Sequence, residues 1–101
     1  MNAKAKASEV GMKFISDDSH GWLAVSLEKF PKAFNFGTGF GYIDDFAKVI
    51  YLEEDYEASQ FLKSVFGDDV VKIQEIPEEV VAGQAFVREF PNNQAVFNGN
   101  N

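Results

Sequence analysis

Apolar and polar residues alternate with a period of two through the first half of the chain, and the period changes to that of a helix after residue 55. Residues 12–16, MKFIS, and 22–27, WLAVSL, read as two strands. The turn-rich DDSHG between them makes a first hairpin. GFGYI, DDF and AKVIYL then read as strand, turn and strand, a second hairpin in which Asp44 and Asp45 are turn residues. Between the hairpins, EKFPKAFNFG is interrupted by Pro31 and admits either a short helical turn or an irregular segment. Ala58, Phe61, Leu62, Val65 and Phe66 recur at helical spacing, with Asp55 as the N-cap and Gly67 as the stop, which predicts the main helix.

After a turn at Asp68-Asp69, VVKIQEI reads as a further strand. Pro77-Glu78-Glu79 is a turn or a helix start. VVAGQAFVREF admits helical and extended readings, with Gly83 and the alternation of Phe86, Arg88 and Phe90 favouring the extended one. The expected organisation is a flexible arm over 1–10, a single domain over 11–91 and a disordered polar tail over 92–101. The expected fold class is α+β: a small antiparallel sheet of four to five strands, arranged as two hairpins, packed against one main helix.

Composition narrows the function classes. A chain of 101 residues with 46% apolar and 25% charged residues is one globular domain, and fifteen aromatics, eleven of them Phe, suit a small core. No cysteine is present, which excludes disulfides, thiolate catalysis and Cys-zinc sites, and MNAKAKASEV lacks the pattern of a signal peptide. No apolar run is long enough for a membrane span, so a cytoplasmic protein is expected.

The net charge of −7 is unevenly spread. Residues 44–79 hold eleven acids against Lys48, Lys63 and Lys72, a net −8, and the remainder of the chain is +1. Direct binding of DNA or RNA is disfavoured, because phosphate contacts need Lys and Arg. A basic partner surface is attracted instead.

The acids are the candidate site. Glu53, Glu54, Asp55 and Glu57 crowd into five positions, more than one helix start needs, and Asp44, Asp45, Asp68 and Asp69 add doublets at turns. All eight are candidate partner-binding residues, and a set of carboxylates on a helix start and neighbouring turns can imitate a phosphate track. Each doublet also has a plain explanation as a turn former. SDDSHGWLAVSLE lacks the ligand alternation of a calcium loop, so no metal site is expected.

His20, the one histidine, has Asp17, Asp18 and Ser19 beside it, from which a base–orienter pair can be sketched, but no nucleophile or oxyanion site accompanies it, and no catalytic residue is assigned. GTGFG at 37–41 leads into a strand rather than opening a helix, so it fails as a phosphate loop and no cofactor is expected. Its glycines read as relief of backbone crowding at a turn. Trp22, Phe30, Phe34 and Phe36 admit an apolar contact patch, with core packing the default reading.

HGW at 20–22, followed by YLEED at 51–55 and Ala58, resembles a group of short uncharacterised proteins of bacteriophages, prophages and plasmids. The matching positions are His20, Gly21, Trp22, Val25, Tyr51, Leu52, Glu53, Glu54, Asp55 and Ala58. The chain departs from that pattern at Glu57, where Asp is expected, and at FGTGFGY.

The resemblance implies a mobile-element origin, hence a bacterial host cytoplasm, but no activity. By analogy with small acidic accessory proteins of such elements, it implies an inhibitor of host defence of the anti-CRISPR kind, binding the basic surface of a host nucleic-acid-binding complex. A structural or self-associating domain, including a homodimer, is the alternative. An enzyme centred on His20 comes third.

Overall fold

The computed structural model describes residues 10–94. Five strands, β1 (Met12–Ser16), β2 (Gly21–Ser26), β3 (Tyr42–Asp44), β4 (Val49–Glu53) and β5 (Glu78–Val80), form one sheet in the order β3-β4-β2-β1-β5. Helices α1 (Glu57–Phe66) and α2 (Val70–Gln74) and two 3-10 helices, Pro31–Phe36 and Phe86–Glu89, complete the α+β architecture. Both predicted hairpins form, β1 antiparallel to β2 and β3 antiparallel to β4, and β2 joins them by pairing with β4.

The alternation of apolar residues sorts side chains onto two faces. Met12, Leu23, Val25, Ile43, Ile50 and Leu52 point to one side, where Ala58, Phe61 and Leu62 of α1 and Ala33 of the first 3-10 helix cover them. Ile15, Trp22 and Tyr51 point to the other, where the chain from Val81 to Phe90 covers them with Ala85 and Val87. α1 ends at Gly67, whose φ of 60° a side chain would strain, and its N–H closes on the Lys63 carbonyl. Val65, expected on the apolar face of α1, is exposed.

Other expectations also need correction, among them Glu78-Glu79, read as a turn or helix start, which lies in strand β5. The sheet is mixed, because β5 runs parallel to β1, with the Phe14 N–H bonded to the Pro77 carbonyl at 2.8 Å. VVKIQEI is a helix at Val70–Gln74 rather than a strand: the Asp69 carboxylate accepts the Lys72 N–H at 3.2 Å as an N-cap, and Val70 and Val71 are exposed. The aromatic–Arg–aromatic stretch is a 3-10 turn rather than a strand, and Phe90 stacks on Tyr51 with ring centroids 5.6 Å apart. The domain also extends past residue 91.

The Ile43 N–H donates to the Pro91 carbonyl, so the β3 edge is covered, and Asn93 is buried at 1% exposure with its amide on the Glu57 carboxylate. At the other end Val10 packs on the core. The arm over 1–9 and the tail over 95–101 lie outside the described residues.

Hydrogen bonds to charged groups are worth roughly 1.5–3 kcal/mol. A chain ending at Pro91 is therefore expected to be less stable than one ending at Gln94 by about 2–3 kcal/mol, read as a lower urea midpoint. Equal midpoints would return Asn93 to the tail.

Candidate functional site

Glu57 is the residue that the acidic run conceals. It opens α1 with 0% exposure, and both carboxylate oxygens are filled. Oε2 accepts the Thr38 N–H at 2.6 Å, the Thr38 hydroxyl at 2.7 Å and the Phe40 N–H at 3.2 Å. Oε1 accepts the Glu53 N–H at 3.0 Å and the Asn93 side-chain amide at 2.9 Å. The GTGFG loop thus cradles an anion after all, but the anion is the protein's own.

A Cβ at Gly41 would meet the Tyr51 carbonyl oxygen at 2.0 Å and Glu57 Oε1 at 2.7 Å, and Gly39 has a φ of +100°, so the loop requires both glycines. Burial alone pushes the Glu57 carboxyl upward. The donors from Glu53, Thr38 and Asn93 outweigh it and hold the group below the ordinary value of 4.5. Glu57 therefore presents no carboxylate to a partner, which corrects its assignment as a partner-binding residue.

A second buried carboxylate organises the opposite face. The Asp17 side chain is fully covered, and its oxygens accept the Ala85 N–H at 2.9 Å, the Ser19 and His20 N–H groups at 2.9 and 2.8 Å, and the Arg88 guanidinium at 3.0 Å. Chiefly because of the Ala85 N–H, and against the cost of burial, its carboxyl lies far below the usual range. Arg88 also sits over the Trp22 ring, 5.1 Å from its centroid, and its Nη2 lies 3.1 Å from His20 Nδ1. Asp17 does not orient the His20 ring: the ring nitrogen meets a guanidinium that can only donate. A base–orienter pair of His20 with Asp17 therefore does not form.

The other candidate acids fall into separate groups. Asp44 and Asp45 lie at the β3–β4 turn, roughly 13 Å along β4 from Glu53. Asp44 accepts the Phe46 and Ala47 N–H groups, as a turn former should, and Asp45 pairs with Lys48. Asp68 and Asp69 follow the C-terminus of α1, about 15 Å from Glu54 and Asp55 at its start.

Asp55 is not the helix cap. Tyr56 holds that position with no side-chain cap bond, and Glu53 closes the turn by accepting the Asp55 and Tyr56 N–H groups at 2.9 and 3.2 Å. Glu54 and Asp55 are exposed, and among the described residues no Lys or Arg pairs with Glu53, Glu54, Asp55, Asp68 or Asp69.

HGW and YLEED adjoin in space. Trp22 pairs in register with Glu53, the Glu54 N–H donates to the Gly21 carbonyl at 3.1 Å, and the Glu54 carboxylate lies where a Cβ on residue 21 would stand. Beside this junction His20, Phe40, Glu53, Asp55 and Tyr56 line an open cleft of about 370 Å³. Phe40 is 68% exposed and Tyr56 55%. Sequence reasoning missed both rings. The signal available was position: each is a large aromatic off the apolar periodicity, one between two glycines and one inside the acidic run.

Among the described residues no three His, Asp or Glu side chains gather as a metal ion would need, and no helix is long and apolar enough to cross a membrane. Comparison with protein-family models, curated proteins and solved structures finds no match.

Glu57→Gln turns an amide N–H₂ towards at least two donors and is expected to cost at least about 3 kcal/mol of unfolding free energy, measured by urea denaturation. Both buried carboxyls are lowered in the folded state from ordinary values of 4.5 (Glu57) and 3.8 (Asp17). Their stabilisation is complete above those values and is lost as pH falls towards the folded ones. Thermal midpoints should therefore hold above the ordinary range and decline below it. Removing Glu57's share by Glu57→Gln should make that decline shallower, and an identical slope in the variant would refute the assignment.

Proposed function

We propose that this protein is a stoichiometric inhibitor that covers the basic, nucleic-acid-binding surface of a bacterial host defence complex, with RNA-guided CRISPR effectors as the leading target class. The observation that carries the reading is the unneutralised charge at the β4–α1 turn. Glu57 has its own internal role and Glu53 closes the turn, yet Glu54 and Asp55 are exposed without a cationic partner among the described residues. Holding like charges this close opposes folding, and a turn needs only one of them. Lys or Arg on a partner relieves the repulsion and gains from steering.

Asp68 and Asp69 form a second acidic point at the far end of α1. Asp44 and Asp45 sit at the other end of β4, so the acids make separate points of contact rather than one phosphate-like track. Self-association is the competing reading, favoured by Phe46, 99% exposed at the tip of the β3–β4 hairpin.

The test is competition. Purified RNA-guided effector complexes are assayed for target-DNA binding with increasing amounts of the protein, at low and physiological salt. Inhibition should saturate near one copy per complex and weaken as salt screens the contact. The double reversal Glu54→Lys, Asp55→Lys should lose at least about tenfold in potency with an unchanged circular dichroism spectrum. Undiminished inhibition by the reversed variant would overturn the reading. A concentration-dependent dimer by light scattering, with no effector inhibited, would favour self-association.

A further inference from the structure

We infer that the cleft between Phe40 and Tyr56 is a receptor for a single arginine side chain of the protein partner. The inference rests on the basic-partner reading above and adds to it the chemistry of one contact. Four features of the cleft point to this occupant.

Its walls are two rings more exposed than a soluble surface needs, Phe40 at 68% and Tyr56 at 55%, and exposed aromatics in a cleft are the residues that anchor protein interfaces. Its polar groups include two carboxylates, Glu53 and Asp55, so the occupant is cationic. A guanidinium satisfies both demands, because it lies flat on an aromatic face while its N–H fork meets a carboxylate. An ammonium satisfies the second demand better than the first. A nucleobase could stack on the rings, but its phosphate would face the most acidic stretch of the chain.

The cleft is also held ready. The Phe40 N–H is fixed by the buried Glu57 carboxylate at 3.2 Å, and the Tyr56 N–H by Glu53 at 3.2 Å. Both ring-bearing backbones are pinned from beneath by carboxylates, so little ordering remains to be done on binding.

The protein already uses this chemistry next door. Arg88 lies over Trp22 and clamps Asp17, and its Nη2 touches His20, the residue that also lines the cleft. An arginine from a partner would find in the cleft, which His20 also lines, the same combination of ring and carboxylate.

The experiment is an NMR titration of the full-length, ¹⁵N-labelled protein with the capped tripeptide Gly-Arg-Gly and with its lysine and citrulline counterparts. Citrulline keeps the shape and removes the charge. The arginine peptide should shift the amides of His20, Phe40, Asp55 and Tyr56 saturably, the lysine peptide less, and the citrulline peptide not at all. Phe40→Ala with Tyr56→Ala, two exposed positions whose loss leaves the core intact, should abolish the shifts in a spectrum that is otherwise native. Equal shifts with citrulline, shifts shared evenly with Asp44–Asp45 and Asp68–Asp69, or unaltered binding by the double variant would each overturn the inference.

The two proposals fail separately. An arginine-specific cleft in a protein that inhibits no effector would remove the defence reading alone. Loss of inhibition on reversal of Glu54 and Asp55, with no arginine response at the cleft, would remove this inference alone.

Discussion

The buried carboxylate of Glu57 is the contact on which the rest of this small fold turns. Removing a carboxylate from water costs several kcal/mol, and an acid at the start of a helix is ordinarily left in solvent for that reason. Here five donors from four residues meet its two oxygens. They come from the glycine loop, the end of β4 and Asn93, three segments far apart in sequence. Because each donor is itself partly or wholly buried, none can be released without leaving an unsatisfied group, and the geometry is therefore mutually enforced. Among the described residues no buried side-chain N or O lacks a partner, as such an arrangement requires.

Asp17 plays the matching part on the other face of the sheet. It gathers the β1–β2 turn and the C-terminal 3-10 turn around one carboxylate and sets Arg88 on Trp22. One acid thus supports the helix-covered face and another the face covered by irregular chain, where the backbone has few partners of its own. This division changes the meaning of the charge count. The acids that look most crowded in sequence are of two kinds: Glu57 is structural, its buried charge held by hydrogen-bond donors, whereas Glu54 and Asp55 are exposed.

The same economy places the cleft. Glu53 closes the turn and lines the cleft, Glu57 holds the Phe40 backbone, and His20 belongs both to the Arg88–Trp22 stack and to the cleft wall. A cleft built this way has its backbone fixed by buried groups without needing regular secondary structure of its own.

Hairpins and main helix were legible in the chain because their apolar residues repeat with the period of the element that buries them. Leu23, Val25, Ile50 and Leu52 alternate, and Ala58, Phe61 and Leu62 lie on one helical face. VVKIQEI misled because its β-branched residues suit a strand, although Ile73 and Ile76, three apart, were the ones that pack, and Asp69 stood ready as a cap. β5 left no pattern to read: Glu78, Glu79 and Val80 are all exposed, and the strand exists through backbone bonds to β1. Nor could composition separate Glu57 from its acidic neighbours, since its burial depends on Thr38 and Asn93, 19 and 36 residues away. What the chain determined by itself was local periodicity, turn chemistry and the segregation of charge, all encoded within a few residues. Which acid is buried, which strand runs parallel and which aromatics meet in a cleft were decided by tertiary structure, because each depends on donors or surfaces that only folding brings together.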